Sequence, residues 1–240
     1  MSTAWDYSGR VVLVTGVGRA GQIGHAVARA FGKAGAKIVA VDRNAVGVAE
    51  RVKEFAQEGM DARPAAGDLT EPDVCNLAVE TAVKYYGRLD AVVNVAGGLT
   101  TYGPIAQHGP EAFDREININ LKTAYLMSRA AAPVLAERGG AIVNFASIAY
   151  YRPMGNMAIY SAAKAGVAAL TQSLAVELGP RVRVNAVAPA TVRTPENIAT
   201  LGPDAPYVEI EQIANAVLYL AGDASSGITG QIIPITNRAI

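Results

Sequence analysis

The stretch RVVLVTGVGRAGQIG, residues 10–24, decides the fold. Its first part, Arg10–Thr15, is apolar at nearly every position, which predicts a β-strand buried on both faces, as in parallel sheets. The glycine-rich part that follows leads into a segment with helical spacing. Glycine lets the backbone turn sharply and approach a pyrophosphate, and the N-terminus of the next helix attracts the anion. Plain turns are also rich in glycine, so the prediction of a dinucleotide site rests on the place of this loop between the first strand and the first helix.

The rest of the chain repeats this alternation of strand and helix. Apolar, β-branched runs predict further strands at Lys37–Asp42, Leu89–Val95, Ala141–Ala146 and Val182–Val187. Segments with apolar residues at helical spacing lie between them, and the longest cover residues 111–137 and 157–178. Such alternation implies right-handed βαβ units. We therefore predict an α/β protein with a single Rossmann-type, doubly wound parallel sheet, helices on both faces, and one domain over residues 1–240.

Composition argues against several classes of protein. Hydrophobic residues make up 51% of the 240, and 21 basic residues balance 21 acidic ones, so no net charge attracts nucleic acid or an anionic membrane. No apolar run approaches the ~18 residues that suggest a membrane-spanning helix. The chain opens without a signal-peptide pattern, and Cys75 has no second cysteine with which to pair. Two histidines and one cysteine offer no metal cluster. We expect a cytoplasmic globular protein whose partner is a small molecule, not a metal, nucleic acid or membrane.

The second predicted strand ends in a carboxylate, Asp42, eighteen residues after Gly24. A carboxylate there can accept hydrogen bonds from both hydroxyls of an adenosine ribose and would repel a 2′-phosphate, which favours NAD over NADP. Arg43 leaves the alternative open, because a guanidinium at that place could hold the 2′-phosphate instead.

A second pattern, Ser147 followed by Tyr160-Ser161-Ala162-Ala163-Lys164, indicates acid–base chemistry. Tyr160 and Lys164 are four residues apart, so on a helix their side chains share one face. A free phenol titrates near pH ~10, but a nearby ammonium stabilises the phenolate and lowers its pKa, which makes the pair a usable proton carrier. The spacing alone is common, and the surrounding motifs give it meaning.

Taken together, these motifs resemble the compact branch of the short-chain dehydrogenase/reductase family, from Thr15 to Gln231. The YxxxK motif of the family falls on Tyr160 and Lys164, and its serine falls on Ser147. Its helix asparagine fits Asn120 better than Asn118. The remaining motifs of the family match Asn94-Val95-Ala96-Gly97, Asp68-Leu69 and Pro189–Thr194.

The resemblance implies hydride transfer between NAD(H) and a secondary alcohol or ketone. Tyr160 would exchange a proton with the substrate oxygen, and Ser147 would orient that oxygen. Lys164 would depress the pKa of Tyr160 and hold the nicotinamide ribose, and Asn120 would hold a water that links Lys164 to solvent. Cofactor contacts are implied for Gly16, Gly21, Gln22, Ile23, Gly24, Asp42, Arg43, Asp68, Leu69, Asn94, Ala96, Gly97, Tyr160, Lys164, Pro189, Val192 and Thr194.

Other functions and features stay open at this point. A non-catalytic nicotinamide-binding scaffold or regulator is one alternative, although such a protein would not need all four catalytic-type residues. An NADP-dependent ketone reductase of the 3-oxoacyl type is another. An epimerase or dehydratase that retains its cofactor resembles longer chains with a separate substrate domain. The resemblance also implies a homotetramer, or a homodimer, formed through the helices around Asn120 and Tyr160.

The sequence departs from the family pattern in three places. The glycine loop is two residues longer and has Gln22 at the place of the middle glycine, so we predict that Gly21 takes over with a shifted backbone. Ala190 replaces a glycine, which makes a positive φ costly there. The segment Pro195–Glu209 is short and contains Gly202, Pro203 and Pro206, which predicts an open or mobile substrate site.

A few further residues have two interpretations. The cluster of Tyr150, Tyr151, Met154 and Met157 either lines a substrate pocket or packs in the interior. His108 lies in a loop before a helix, and a substrate contact is one interpretation of it, since loops often carry functional residues. We expect His25 and Cys75 to be packing residues.

Overall fold

The computed structural model describes residues 5–152 and 154–237. Its strands are β1 (Val11–Thr15), β2 (Lys37–Asp42), β3 (Ala62–Ala66), β4 (Ala91–Asn94), β5 (Gly140–Phe145), β6 (Val182–Pro189) and β7 (Ile232–Ile235). Its α-helices are α1 (Ile23–Lys33), α2 (Ala45–Gln57), α3 (Pro72–Tyr86), α4 (Pro110–Ile117), α5 (Thr123–Arg138), α6 (Ala158–Leu178), α7 (Pro195–Leu201) and α8 (Ile210–Ala221). Among the residues described, no helix is both long enough and apolar enough to cross a membrane.

The strands form one parallel sheet in the order β3-β2-β1-β4-β5-β6-β7. Winding reverses between β1 and β4, so helices cover both faces. This confirms the predicted doubly wound parallel sheet. The predicted strands differ from the observed ones only at their ends: the run Leu89–Val95 shortens to β4, and the run Val182–Val187 extends to Pro189.

The alternating side chains of β1 show why the strand is apolar throughout. Val12 and Val14 pack into one buried cluster with Phe31 of α1. Val11 and Leu13 point to the opposite face and pack into a second cluster. Each of these four strand residues is at most 1% exposed. Because neither face of the strand meets solvent, neither face has a place for a polar side chain.

The stretch 111–137, which has helical spacing in the sequence, is helical throughout but is not a regular α-helix. A π-helical turn, Asn118–Lys122, joins α4 to α5. The Thr123 N–H donates to the carbonyl of Asn118, five residues back, and the Thr123 hydroxyl donates to the carbonyl of Ile119 at 3.0 Å. Apolar spacing cannot reveal the extra residue that such a turn inserts, and turns of this kind often lie at functional sites.

The segment Pro195–Glu209 begins with a short helix, and the open or mobile substrate site expected from its sequence stays a prediction. Pro195 begins α7, and the Thr194 hydroxyl caps this helix by accepting the Asn197 N–H at 3.2 Å. Gly202, with φ of +85°, ends the helix. Tyr207 is buried, with its hydroxyl 2.6 Å from the Gly202 carbonyl. Proline and glycine therefore mark the two ends of a short helix, as they commonly do.

Candidate active site

The glycine loop lies where β1 and β4 end, at the point of reversed winding where ligands bind in sheets of this kind. Gly16 and Gly21 have φ of +75° and +71°, a conformation that favours glycine. A Cβ on Gly24 would overlap the Gly16 carbonyl oxygen. No side chain caps the start of α1 at Gln22, and Ile23 opens the helix. The loop and helix N-terminus therefore form a backbone cradle that fits a pyrophosphate.

Asp42, at the end of β2, faces this cradle. Its carboxylate accepts the Gly18 N–H at 2.8 Å and the Asn44 N–H at 2.9 Å. A Cβ on Gly18 would lie 2.8 Å from the carboxyl carbon of Asp42, so only glycine permits this approach. Two backbone hydrogen bonds thus fix the carboxylate at the rim where the adenosine ribose of a dinucleotide is held in this type of fold.

Arg43 and Asp68 lie close to each other at the same rim. Arg43 is exposed. The hydrogen bond from the Thr70 N–H, at 2.9 Å, and the nearby Arg43 charge hold the pKa of Asp68 below its usual value. Leu69 differs from this pair, because its side chain is buried in the core and its carbonyl accepts the Cys75 thiol. Only Asp68 of the predicted Asp68-Leu69 pair presents its side chain at the rim.

Cys75 packs in the interior, as the sequence suggested. The thiol is fully buried on α3, and burial raises its pKa to about 11. It therefore stays protonated at neutral pH and behaves as a small apolar residue.

His25 has a role that sequence reasoning missed. Its Nδ1 accepts the Gly21 N–H at 3.0 Å, and its Nε2 lies 3.1 Å from a carboxylate oxygen of Glu54. The ring stacks on Phe55 with centroids 5.6 Å apart. Burial lowers the pKa of His25, which keeps the ring neutral at pH 7 so that Nδ1 can accept a hydrogen bond. The ring thereby holds the lengthened glycine loop. The only hint of this contact in the sequence is that His25 lies four residues after Gly21, a spacing that brings two residues close together at a helix start.

The end of β4 is tied to its neighbouring strands by buried polar groups. Asn94 is 4% exposed, and its amide donates to the Asn144 side chain at 2.8 Å and to the Ser128 hydroxyl at 3.1 Å. The Ala96 N–H donates to the Thr15 hydroxyl at 2.9 Å, which joins the ends of β4 and β1. These bonds fix the sheet edge beside the cradle.

Asn120 lies in the π-helical turn and is 1% exposed. Its Oδ1 accepts the Gly98 N–H at 3.0 Å, and its Nδ2 donates to the carbonyls of Gly98 and Glu116, both at 3.0 Å. A Cβ on Gly97 would lie 2.6 Å from Oδ1. The side chain therefore clamps the loop after β4. The water-holding role implied for Asn120 stays a prediction, and both ends of this amide already have protein partners.

Ser147 and Tyr160 are brought together from β5 and α6. The Ser147 oxygen accepts the Ala149 N–H at 3.2 Å, which fixes the serine side chain. Burial raises the pKa of the half-buried Tyr160, and the neighbouring Ser147 hydroxyl acts in the opposite direction. The phenol is therefore protonated at neutral pH in this structure, and it needs a cation nearby to serve as a base.

Lys164 supplies that cation one helical turn away. Its Nζ lies 5.8 Å from the Tyr160 ring centroid and donates to the Phe145 carbonyl at 2.8 Å. The two side chains share one face of α6, as their spacing predicts. Burial lowers the pKa of Lys164 to about 8, and the charge of Glu116 opposes this effect.

Glu116 is the second residue that sequence reasoning missed. Its side chain, on α4, is fully buried. Its position continues the i,i+4 row from Ala112 to Asn120, all of which are buried. This spacing was the only feature of the sequence that indicated a buried Glu116, because the residue belongs to none of the motifs above.

The predicted contacts after β6 have structural roles as well. Pro189 is the last residue of β6 and lies opposite Ile235 of β7. Val192 is buried and bridges Val208, and the Thr194 hydroxyl caps α7. Ala190 does not adopt a positive φ, so the expected cost of a side chain there does not arise.

Helix α7 borders the glycine loop. A Cβ on Gly21 would lie 3.0 Å from the Pro195 ring, and the Arg19 guanidinium is 2.8 Å from the Glu196 carboxylate. Residues that follow β6 are thus placed beside the cradle, where a ligand in it would meet them.

The segment between Ser147 and Tyr160 is partly exposed. Tyr151 and Met154 are 41% and 47% exposed, and the rings of Tyr150 and Tyr151 lie edge to face at 4.9 Å. The Asn156 carbonyl accepts the Gly103 N–H at 3.0 Å, which joins this segment to the loop after β4. Exposure favours the pocket-lining interpretation for Tyr151 and Met154.

Comparison with known proteins gives consistent matches over most of the chain. A family model described as enoyl-(acyl carrier protein) reductase matches residues 16–237. The 3-oxoacyl-[acyl-carrier-protein] reductase of Thermotoga maritima is 34% identical over 241 residues, which cover 95% of this chain and 96% of that protein.

Solved structures agree with this chain in fold and length. A short-chain type dehydrogenase/reductase from Mycobacterium ulcerans superposes with a TM-score of 0.91 at 32% identity, covering 96% of this chain and 89% of that chain. A 7α-hydroxysteroid dehydrogenase, solved with NADH and 7-oxo glycochenodeoxycholic acid, has a TM-score of 0.91 at 28% identity and covers 100% of this chain and 98% of its own.

Proposed function

Because the chain belongs to the short-chain dehydrogenase/reductase family and is an NAD(P)-dependent oxidoreductase of alcohols and ketones, we propose that Tyr160 is its general acid/base and NAD(H) its preferred cofactor. The observation that carries the proposal is the convergence of two groups on Tyr160: the Ser147 hydroxyl, and the Lys164 ammonium 5.8 Å from the ring centroid. A phenol with a hydroxyl and a cation as neighbours is suited to exchange a proton with a substrate oxygen.

The protein groups act on the proton and on the oxygen that carries it. Nicotinamide, when bound, supplies or accepts the hydride. In reduction, the Tyr160 hydroxyl gives its proton to the carbonyl oxygen as negative charge develops there, and the Ser147 hydroxyl donates a second hydrogen bond to that oxygen. In oxidation, the Tyr160 phenolate takes the proton of the alcohol. The Lys164 ammonium stabilises the phenolate, and the two N–H groups that Phe145 leaves free can hold ribose hydroxyls.

Turnover of NADH with a panel of ketones tests the assigned reaction. We expect one NADH to be consumed for each alcohol formed. Retention of the cofactor without net consumption would indicate an epimerase or dehydratase, and cofactor binding without turnover of any ketone would indicate a scaffold.

The preference for NAD rests on Asp42. A 2′-phosphate at the ribose would lie against its fixed carboxylate, and like charges brought together in this way cost several kcal/mol. The Arg43 charge acts on Asp68, so that guanidinium already has an acidic neighbour.

Asp42→Ser is expected to lower the ratio of kcat/KM for NADH to that for NADPH by about 30-fold, or ~2 kcal/mol, because it removes the repulsion along with the ribose acceptor. Steady-state kinetics with both cofactors measure this ratio. Arg43→Ala is the matched control and should change the ratio little. A wild-type protein that prefers NADPH, and loses that preference in Arg43→Ala, would reverse the assignment.

The substrate is proposed to be a ketone with an apolar body. Tyr102, Tyr151 and Met154 are 66%, 41% and 47% exposed on the two joined loops that follow β4 and Ser147. Apolar side chains of this kind around a few polar groups are typical of ligand sites. In the ketone panel, apolar cyclic or long-chain ketones should have higher kcat/KM than small polar ones.

We also propose a homotetramer that uses the exposed side of α5 and α6. Tyr125 on α5 and Val176 on α6 are 47% and 84% exposed, and apolar residues at helix surfaces are often covered by another subunit. Light scattering should give the mass of four chains, and the mass of one chain would contradict the proposal.

A further inference from the structure

Glu116 is a buried charged side chain to which the proposed reaction assigns no role. It lies on α4 with none of its surface exposed. Burial of a carboxylate is costly unless hydrogen bonds or a counter-charge compensate for the lost water. The contacts of Glu116 show what compensates for it here.

Among the residues that the structure describes, the hydrogen-bond donors to this carboxylate all belong to the loop after β4 or to the π-helical turn. The Thr100 N–H lies 3.3 Å and 3.2 Å from its two oxygens, and the Thr100 hydroxyl donates to Oε2. The Asn120 amide nitrogen lies 3.4 Å from Oε1. Glu116 therefore connects the loop to Asn120, whose side chain holds the same loop at Gly98.

The charged and titratable groups that face Glu116 belong mainly to the proposed proton carrier. Its charge raises the pKa of both Tyr160 and Lys164, which approach from α6. The guanidinium of Arg115, the neighbouring residue on α4, lies 3.4 Å from the Thr101 hydroxyl. Among the described residues, no cationic nitrogen lies within ion-pair distance of the Glu116 carboxylate. Its charge therefore acts on Tyr160 and Lys164 at longer range, without a direct ion pair.

We propose that Glu116 is a positioning residue for catalysis: its buried carboxylate anchors Thr100 and Asn120 beside the Tyr160–Lys164 pair, and it is the negative charge that faces this pair from α4. The inference rests on the proposed role of Tyr160 and adds a residue outside the motifs of the family resemblance.

The sign of the expected pH effect is the same in both directions of the reaction. Removing a nearby negative charge makes proton loss easier, so both macroscopic pKa values of the coupled pair fall. Reduction needs the protons on both Tyr160 and Lys164, so the alkaline limb of its pH profile of kcat/KM moves to lower pH. Oxidation needs the Tyr160 phenolate, so the acid limb of its pH profile also moves to lower pH. A residue that only supports the fold would change the rate without moving either limb.

Glu116→Gln is the deciding variant, because it keeps the shape and loses the charge. We expect both limbs of the kcat/KM profiles to move down by about one pH unit. Glu116→Asp keeps the charge and should leave the limbs near their wild-type positions even if the rate falls. Asp114→Asn removes an exposed charge from the same helix and should move neither limb. Thermal unfolding and NADH binding check the fold, and Glu116→Met provides an uncharged alternative if the glutamine variant does not fold.

Limbs that stay at their wild-type pH in folded Glu116→Gln or Glu116→Met would overturn the inference. An equal shift in Glu116→Asp would also overturn it, since shape and not charge would then be responsible. These failures are distinct from failure of the proposed function. An inactive Tyr160→Phe variant together with unmoved limbs refutes the role of Glu116 alone, whereas an active Tyr160→Phe variant refutes the role of Tyr160 itself.

Discussion

Tyr160→Phe is expected to lower kcat for ketone reduction by about 10³-fold and to leave NADH binding nearly unchanged. A positioned general acid contributes 10²–10⁴-fold, and phenylalanine removes the proton without changing the ring. Ser147 would then face a substrate oxygen with no proton donor beside it. Initial rates at saturating NADH, together with a fluorescence titration of NADH, separate the two effects.

Tyr85→Phe is the matched control for this loss. It removes the hydroxyl of an exposed tyrosine near the C-terminal end of α3. Its kcat should stay close to that of the wild type. If Tyr160→Phe kept most of its activity, or if both variants lost it equally, Tyr160 would not be the proton carrier.

Lys164→Met is expected to lower kcat/KM by about 10²-fold or more, since the phenolate loses its stabilising charge. Methionine has a similar length and suits the buried surroundings, but it cannot donate to the Phe145 carbonyl. We also expect weaker NADH binding, because the proposed hydrogen bonds to the ribose are lost. Kinetics and NADH titration at pH 7 measure both effects, since the pKa of about 8 leaves the wild-type lysine charged there.

Lys53→Met, on the exposed side of α2, is the control for removal of a positive charge. It should leave kcat/KM unchanged. A Lys164→Met variant with more than half of the wild-type kcat/KM would show that the ammonium is not needed for the chemistry.

The sheet and the glycine loop could be predicted because local sequence determines them. A strand such as β1 that is apolar on both faces has few places in a protein other than a parallel sheet covered by helices. Glycine is required at Gly16 and Gly24 for a backbone reason, which a single sequence reveals when the loop lies between a strand and a helix. The pair of Tyr160 and Lys164 was likewise predictable, because helical spacing alone places them on one face.

The roles of Glu116 and His25 depend on contacts between distant segments, so the sequence did not reveal them. Thr100 is 16 residues before Glu116, and Glu54 is 29 residues after His25. Periodicity indicates which side chains face inward but not which element packs against them. The π-helical turn at Asn118–Lys122 was missed for a related reason, since one inserted residue barely disturbs the apolar pattern.

The short helix after β6 could not be predicted from the sequence, because glycine and proline have two meanings. Read singly, Pro195, Gly202 and Pro206 suggest an irregular loop. In the structure, Pro195 and Gly202 bound α7, and the buried Tyr207 ring, with the Arg193 guanidinium 4.6 Å from its centroid, holds the segment in place. Only tertiary packing distinguishes these outcomes.

The acidity of the Tyr160 phenol tests the account most directly. An ultraviolet titration of the phenolate, recorded as wild type minus Tyr160→Phe with NAD⁺ bound, isolates this one of the ten tyrosines. We expect an apparent pKa below the ~10 of a free phenol, because the positive charge of NAD⁺ joins that of Lys164 in offsetting the effect of burial, and a higher pKa in Lys164→Met. A value at or above that of a free phenol, unaffected by the loss of Lys164, would contradict the role of Tyr160 as proton carrier.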